Sequence, residues 1–388
     1  MTYHPEDRRV LVAHNVERGG WGGMARMMES LHAALEAFGW KTDYFTADDM
    51  PEAASPRFRR HAFPWYARRH ARKAFLRGEP YDVINIHEPA GAACVFERSR
   101  IGNPAIVVVS HGVEQRYWEL RLRKDPPGPE PPGWKTRLFY PAASLWQSRL
   151  ALRCASHVLC LSEEDRSFLV TRFRLDPARI TRVFPAAGPE FASVAPRRSY
   201  HRPCNRLLFS GTWIERKGIR YLVEAFSALA WSYPRLQLGV LGAGVSRSRV
   251  LAGFPAPLHS RIAVYPPLSH ADCAELLLDY DIFLLPSFFE GTPLALIEAM
   301  ASGLPVVTTA TCGMKDVVAD GQNGLLISPG SSAQIAGSVE LLMADPALRL
   351  RLGRQAFVDA SRKYTWRAAA ELVDAAYSGV LKCREIPR

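Results

Sequence analysis

Short apolar runs alternate with longer amphipathic stretches along most of this 388-residue chain. Several runs have the length and composition of buried strands: Val10–Ala13, Val83–Ile86, Ala105–Val109, His157–Leu161, Arg206–Phe209, Leu236–Leu241 and Asp281–Ser287. The stretches between them carry apolar residues at helical spacing, as in Met24, Met27 and Leu31 ahead of a stop at Gly39. Strands that alternate with helices pair in parallel through crossover connections. The pattern therefore predicts an α/β fold built on parallel sheets.

The length of the chain predicts two domains, each large enough to bury its own core. A polar segment with two prolines, Ala195–Asn205, separates two blocks of apolar runs and has the composition of an interdomain link. We expect an N-terminal domain at 1–195, a C-terminal domain at 196–365 and a final helix within 366–388.

Composition places the chain among soluble globular proteins, with 48% hydrophobic and 22% charged residues. No apolar run reaches the ~18–20 residues of a membrane span. The N-terminus lacks the apolar core of a signal peptide, so we expect a cytoplasmic protein. The seven cysteines are scattered without a CxxC pair, which is typical of reduced, mostly packed thiols.

The formal net charge of +11 is concentrated in the first half of the chain. Much of it lies at Pro56–Gly78, where eight basic residues alternate with aromatic ones. From Pro64 onward the spacing is helical, with Arg68, Arg69, Arg72 and Lys73 on one side and Ala67, Ala71, Ala74 and Phe75 on another. Residues 57–77 therefore fit either an anionic membrane surface, which would make the protein peripheral to a membrane, or a solvated helix face. We expect no nucleic-acid partner, because zinc-finger and RNP-like motifs are missing from the sequence.

The segment Phe288–Gly303 combines a helix start with two carboxylates. Thr292 offers an N-cap oxygen, Pro293 suits the first helical position, and Gly303 supplies the stop, so the sequence predicts a helix at Pro293–Ser302. The free N–H groups at the start of this helix, from Leu294 onward, together with the preceding Gly291 turn favour a bound phosphate.

Two glutamates flank this helix start, Glu290 just before it and Glu298 in its second turn. Carboxylates repel phosphate but accept hydrogen bonds from paired hydroxyls. Glu290 and Glu298 therefore suit the two sugars at either end of a diphosphate. An ordinary capped helix with two solvated glutamates is the alternative.

The same segment resembles the donor site of retaining glycosyltransferases of family 4. The similarity rests on E-x7-E at Glu290 and Glu298, on EAMASGLPVV at Glu298–Val307 and on DGQNGLL at Asp320–Leu326. This resemblance implies a GT-B fold, in which two Rossmann-like domains face each other across a cleft and the last helix returns to the first domain. It also implies transfer of a hexose-type sugar from a nucleoside-diphosphate donor to a glycan or lipid-linked acceptor, as in polysaccharide or lipopolysaccharide assembly. The donor is then a co-substrate, and neither metal nor further cofactor is expected.

Other positions match the family motifs one by one. Gly22 and Gly23 resemble the glycine turn after the first strand, which approaches the donor phosphates, and His111 in VVVSHG resembles the active-site histidine. In GTWIERKG the residues Gly211 and Lys217 resemble the diphosphate site G-R-x4-K-G. The resemblance thus implies roles for His111, Glu290 and Lys217 in catalysis and for the glycines in donor binding.

One departure from the family pattern concerns the diphosphate site itself. The usual arginine is Thr212 here, and a hydroxyl cannot provide the planar fork of a guanidinium. Arg216, one position before Lys217, is the candidate to replace it. If no cation replaces it, the chain is a degenerate homologue that binds a donor or partner without turnover. A Rossmann-type oxidoreductase is disfavoured, because the first strand is not followed by GxGxxG and a downstream acidic residue.

Overall fold

The computed structural model describes residues 8–18, 23–51, 56–123 and 128–385 and divides them into two α/β units. The first unit holds the chain up to Glu119, Pro132–Phe184 and the segment from Trp366 onward. The second unit holds Leu120–Pro131 and Pro185–Thr365. The long segment of the second unit begins at Pro185, somewhat before the link at 195 that the sequence suggests.

The first unit is built on a six-stranded parallel sheet with the strand order β2-β1-β3-β4-β5-β6. Its strands are β1 (Arg8–Ala13), β2 (Trp40–Phe45), β3 (Val83–His87), β4 (Ala105–Ser110), β5 (His157–Cys160) and β6 (Ile180–Arg182). The helices between them are α1 (Gly23–Leu35), α2 (Pro56–Leu76), α3 (Ala92–Phe96), α4 (Glu114–Leu122), α5 (Trp134–Tyr140), α6 (Trp146–Cys154) and α7 (Glu163–Phe173). A π-helical turn, Pro141–Leu145, joins α5 to α6.

The second unit repeats this plan with a second six-stranded parallel sheet, in the order β12-β11-β10-β7-β8-β9. Its strands are β7 (Arg206–Ser210), β8 (Gln237–Leu241), β9 (Ile262–Tyr265), β10 (Ile282–Leu285), β11 (Val306–Thr309) and β12 (Leu325–Ile327). Its helices are α8 (Pro189–Val194), α9 (Ile219–Ser232), α10 (Arg247–Leu251), α11 (His270–Leu278), α12 (Leu294–Ala301), α13 (Cys312–Val317), α14 (Ser332–Ala344) and α15 (Pro346–Lys363). The last helix, α16 (Trp366–Glu385), belongs to the first unit.

Both faces of the first sheet are buried, because successive strand residues point to opposite sides. Leu11 and Ala13 of β1 belong to one core cluster, whereas Val10 and Val12 belong to the other. The helix α2 covers the first face, and α1 and α16 together cover the second. The side chain of Tyr377 on α16 is fully buried there.

The basic segment forms one continuous helix, α2, with Pro64 inside it. Its Ala67, Ala71 and Ala74 are buried in the core, as the helical spacing predicts. Phe75, which the spacing places on the side of these alanines, is 39% exposed. On the basic side, Arg68 forms an ion pair with Glu97.

No helix among the described residues is long and apolar enough to cross a membrane. All seven cysteines are free thiols, and five of them are buried: Cys94, Cys160, Cys204, Cys273 and Cys312.

Candidate functional site

The second unit brings the loops after β7 and β10 together at one edge of its sheet. The two strands are parallel neighbours, with Leu207 paired to Ile282 and Leu208 paired to Phe283. Their carboxyl ends therefore lie side by side. The loop after β7 contains Gly211 and the short turn Glu215–Lys217, and the loop after β10 contains Glu290.

Backbone contacts join these two loops. The N–H of Phe288 donates to the carbonyl oxygen of Arg216 at 2.9 Å. Gly218 has φ +72°, and a Cβ at that position would lie 2.0 Å from the carbonyl oxygen of Pro286. Only glycine fits this approach, so the K-G dipeptide of the motif has a steric reason.

Two cations converge on one carboxylate at this junction. Lys217 Nζ lies 2.8 Å from Glu290 Oε1, and Arg216 Nη1 lies 3.4 Å from the same oxygen. Arg216 Nη1 also donates to the carbonyl oxygen of Phe289 at 2.9 Å. The guanidinium therefore points into the cluster and not into solvent. Its neighbour in the sequence, Lys217, contacts the same carboxylate. We call Arg216, Lys217 and Glu290 the cation cluster.

The electrostatics of the cation cluster keep Glu290 ionised. Burial acts to raise the pKa of Glu290, but the charges of Arg216 and Lys217 outweigh it, so the pKa lies below its ordinary value. The side chain of Lys217 is only 11% exposed. Gly211, with φ +147°, makes room for it, because a Cβ there would lie 3.3 Å from Lys217 Cε.

The helix α12 begins one residue later than the sequence predicts, and its cap differs. Pro293 is itself the N-cap residue, with extended angles of φ −73° and ψ 123°, and no side chain caps the helix. The expectation that Thr292 is the N-cap and Pro293 the first helical residue is therefore wrong. The proline carbonyl accepts from the N–H of Leu296 at 3.1 Å, which leaves the N–H groups of Leu294 and Ala295 at the open start of the helix. Both residues are partly exposed.

The turn before α12 is held by a residue that the motifs do not point to. The N–H of Gly313 on α13 donates to the carbonyl oxygen of Gly291 at 2.9 Å. A Cβ on Gly313 would lie 2.1 Å from that oxygen and 2.4 Å from Thr292 Oγ1. Gly313 therefore lets α13 close over Gly291 and Thr292, a contact that no local sequence signal predicts.

Other positions of the second unit that the sequence singles out lie on α12, at its end, or directly after Gly211. Glu298 lies in the second turn of α12 and is buried. Thr212, in place of the family's arginine, follows Gly211 and is exposed. Gly303 ends α12 with φ +67°, as the sequence predicts.

In the first unit, His111 follows β4 and meets another histidine. His111 Nε2 lies 2.9 Å from His87 Nδ1, and the ring of His87 lies 5.6 Å from that of His14 between centroids. Burial lowers the pKa of His111 to about 4 and the pKa of His87 well below its ordinary value. The pair is therefore neutral near pH 7.

Sequence reasoning missed His14, His87 and the neighbouring Glu88. A signal was available, because His14 directly follows β1, His87 ends β3 and His111 directly follows β4, and these strands are consecutive in the sheet. Of the predicted glycine turn, Gly23 is the exposed first residue of α1, and Gly22 lies outside the described residues. Within the part of the chain that the structure describes, no three His, Cys, Asp or Glu side chains are grouped to hold a metal ion.

Two family models match the chain, one in each half. The model described as Glycosyltransferase Family 4 matches residues 21–190, and the model described as Glycosyl transferases group 1 matches residues 202–358. The chain belongs to the family 4 glycosyltransferases. The family 4 resemblance inferred from the motifs is thereby confirmed.

Curated proteins of similar sequence are named as transferases of sugars. An α-D-kanosaminyltransferase of Streptomyces kanamyceticus is 27% identical over 60% of this chain and 62% of its own length. A D-inositol 3-phosphate glycosyltransferase of Stackebrandtia nassauensis is 30% identical over 58% of this chain and 54% of its own length. The chain thus spans between half and two thirds of these relatives.

Solved structures agree on the fold over nearly the whole chain. Sucrose-phosphate synthase from Thermosynechococcus elongatus superposes with a TM-score of 0.76 at 19% identity, covering 97% of this chain and 100% of that one. Anabaena HepE, solved in complex with UDP and glucose, gives a TM-score of 0.66 at 16% identity, covering 97% of this chain and 100% of that one. The predicted GT-B class is confirmed.

Proposed function

We propose that this family 4 glycosyltransferase transfers a hexose-type sugar from a nucleoside-diphosphate donor to a glycan or lipid-linked acceptor with retention of configuration. The observation that carries the proposal is the cation cluster, in which Lys217 and Arg216 share the carboxylate of Glu290 close to the open start of α12. A pre-assembled group of cations beside free helix N–H groups suits a leaving diphosphate.

In the proposed reaction the bond between the sugar and the β-phosphate breaks with oxocarbenium character. Charge then develops on the leaving diphosphate, and Lys217, Arg216 and the N–H groups of Leu294 and Ala295 stabilise it. The acceptor oxygen attacks from the same face of the sugar and passes its proton to the departing phosphate oxygen. Because this front-face route uses the substrate itself as the base, it assigns no enzyme nucleophile.

In this scheme the carboxylates accept hydrogen bonds from the sugar hydroxyls. Glu298, buried on α12, accepts from the ribose, and Glu290 accepts from the transferred sugar while it holds the two cations. His111 contributes a neutral imidazole to the donor sugar, the role that the family resemblance implies. For Gly22 and Gly23 the resemblance implies an approach to the donor phosphates. The scheme calls for neither metal nor additional cofactor.

The relatives support the donor class. Both curated relatives are named as transferases of sugars, and the Anabaena structure contains UDP with glucose. A lipid-linked acceptor places the enzyme in the cytoplasm at the inner face of a membrane, where the cations of residues 57–77 would face anionic lipids.

A panel of nucleoside diphosphates and their sugars, read by thermal shift and by release of nucleotide, tests the proposal. A donor sugar should raise the melting temperature by mass action and be hydrolysed slowly without acceptor. Lys217→Ala should abolish hydrolysis, whereas Arg220→Ala, an exposed cation on α9 paired to Glu224, should not. The proposal fails if no nucleoside-diphosphate sugar is bound or turned over.

A second candidate, binding without turnover, is favoured by Thr212 alone. It predicts nucleotide binding with no donor hydrolysis in the parent protein, and Thr212→Arg would then create hydrolysis that the parent lacks.

A further inference from the structure

The helix α5 is exposed along nearly its whole length. Every residue from Gly133 to Phe139 is exposed, including three large apolar side chains. Trp134 is 71% exposed, and Leu138 and Phe139 are each 62% exposed. We call Trp134, Leu138 and Phe139 the α5 face. Clustered exposure of this kind marks an interaction surface in soluble proteins.

The fold explains how such a helix can project from the body of the first unit. The π-helical turn Pro141–Leu145 connects α5 to α6 without a break, so that Trp134–Cys154 forms a single helical rod. The far part of the rod is anchored, because Leu145, Ser148 and Ala151 are buried. The residues of the rod before Tyr140 are exposed instead.

The α5 face occupies one side of its helix. At about 100° per residue, Trp134, Leu138 and Phe139 fall within an arc of roughly 140° that also contains Lys135, while Thr136 and Arg137 point to the opposite side. Trp146, 42% exposed, adds a further aromatic ring where the rod meets the body. Large apolar side chains that are exposed together on one side of a helix are typical of a surface that a partner covers.

The charge of this region distinguishes among the partners that could cover the α5 face. Residues 131–162 contain no aspartate or glutamate, whereas Lys135 and Arg137 are exposed on α5 itself. Lys135 Nζ lies 5.5 Å from the centroid of the Trp134 ring. Pairing two copies through this helix would bring like charges together, which is unfavourable. Tryptophan, aliphatic side chains and cations together match the interface of an anionic bilayer.

We propose that the α5 face docks this protein on an anionic phospholipid bilayer. The helix α2, for which the sequence leaves a membrane surface and a solvated face both open, buries its apolar side in the core through Phe63, Ala67 and Ala71. The exposed side of α2 is cationic, with Trp65 and Phe75 at its margins. This side of α2 adds long-range electrostatic attraction to anionic lipids, whereas α5 supplies the apolar contact.

This inference rests on the proposed function, to which it adds a membrane as partner. Its test does not depend on catalysis. The full-length protein is sedimented with vesicles of phosphatidylcholine containing about a third phosphatidylglycerol, and with vesicles of phosphatidylcholine alone. We expect binding to the anionic vesicles, and at least a tenfold smaller bound fraction for the combined variant Trp134→Ser, Leu138→Ser and Phe139→Ser.

The matched control removes as many exposed apolar side chains from α2, with Trp65→Ser, Phe75→Ser and Leu76→Ser. This variant should bind within twofold of the parent. Lys135→Glu should reduce binding to anionic vesicles, and added salt should reproduce the effect. Because the α5 face is exposed, its variant should melt like the parent, which shows that lost binding is not lost folding.

Any of four outcomes overturns the proposal. The parent does not sediment with anionic vesicles, the α5 variant binds as the parent does, or the α2 control loses binding while the α5 variant keeps it. A fourth is self-association of the parent without lipid that the α5 variant abolishes, since the face then joins two copies. Vesicle binding without donor hydrolysis would refute the proposed function and leave the docking surface intact.

Discussion

Lys217 and Glu290, on neighbouring loops of the second unit, form an ion pair with 2.8 Å between Nζ and Oε1. Arg216 reaches the same oxygen at 3.4 Å. The carboxylate fixes both cations before any donor arrives, so little reorganisation is needed when an anion binds. With two cations and one carboxylate, the cluster keeps one positive charge in excess.

This arrangement gives Arg216 a definite place in the cation cluster. The sequence left its direction open, since neighbours near a helix start point about 100° apart. The structure places Arg216 and Lys217 on the short turn Glu215–Lys217 ahead of α9, where both side chains converge on Glu290. A second cation therefore stands in the cluster although Thr212 occupies the position of the family's arginine.

We expect Arg216→Ala to lower kcat/KM for transfer by about 10²–10³, the usual loss when one transition-state donor is removed. Thr212→Arg added to that variant should recover part of the loss, because it restores a guanidinium after Gly211. Steady-state kinetics with the donor identified in the ligand panel measure both effects.

Arg220→Ala provides the control for this pair, since Arg220 is exposed and its carboxylate partner is Glu224. It should leave kcat/KM unchanged. A silent Arg216→Ala, together with loss of transfer in Lys217→Ala, would show that the lysine and the helix start suffice and that Arg216 compensates for nothing.

Glu298→Ala should weaken binding of the nucleoside diphosphate by about 1.5–3 kcal/mol, the range for hydrogen bonds to a charged group. The reason is the loss of the acceptor for the ribose hydroxyls. Calorimetric titration of parent and variant measures the difference. Since Glu298 is buried, Glu298→Gln serves as the variant that keeps the packing, and equal affinity in both variants and the parent would refute the ribose role.

Much of the fold follows from local pattern. The run Ala105–Val109 becomes β4 with one residue added, and Gly39 ends the first helical segment with φ +81°. The edge strand β2 gives no apolar run, because it pairs on one side only and its Lys41 is exposed. Continuous hydrophobicity marks only strands that are buried on both faces.

The parts of the site that sequence reasoning missed depend on tertiary neighbours. Gly313 is essential to the turn at Gly291 because two separate loops touch there, and its own surroundings in the sequence do not indicate this. Likewise, His87 acquires its place from the order of strands β1, β3 and β4 in the sheet. Motif spacing locates residues along the chain, whereas strand register decides which of them meet.

His87 is predicted to position His111. An asparagine amide reaches the place of the imidazole Nδ1, whereas a glutamine amide reaches that of Nε2. His87→Asn should therefore keep the contact with His111 Nε2, and His87→Gln should lose about 0.5–1.5 kcal/mol of transition-state stabilisation, ~2- to 10-fold in kcat/KM.

Nuclear magnetic resonance of the imidazole nitrogens provides a readout that packing alone would not move. The tautomer of His111 should be the same in the parent and in His87→Asn and should become mixed in His87→Gln. Identical spectra and rates for the two variants would mean that His87 only fills space.

Glu88, next to His87, is a buried carboxyl group in an unusual state. Burial and the neighbouring charge of Glu114 raise its pKa to about 8, although the N–H of Glu114 donates to its Oε1 at 3.1 Å. In the unfolded chain the group ionises near its ordinary value of 4.5. The folded state therefore holds one proton more than the unfolded state between these two values.

The stability of the first unit should consequently fall as the pH rises from about 4.5 to about 8, by about 1.4 kcal/mol per pH unit from this group. Glu88→Gln cannot ionise and keeps an oxygen for the N–H of Glu114, so it should remove this dependence and be more stable than the parent at pH 8. Hydrogen exchange of the β3 and β4 amides at several pH values measures the free energy of unfolding. Glu36→Gln, a change at an exposed site of the same unit, should follow the parent. If Glu88→Gln also follows the parent across this range, Glu88 is ionised in the folded protein and the buried proton does not exist.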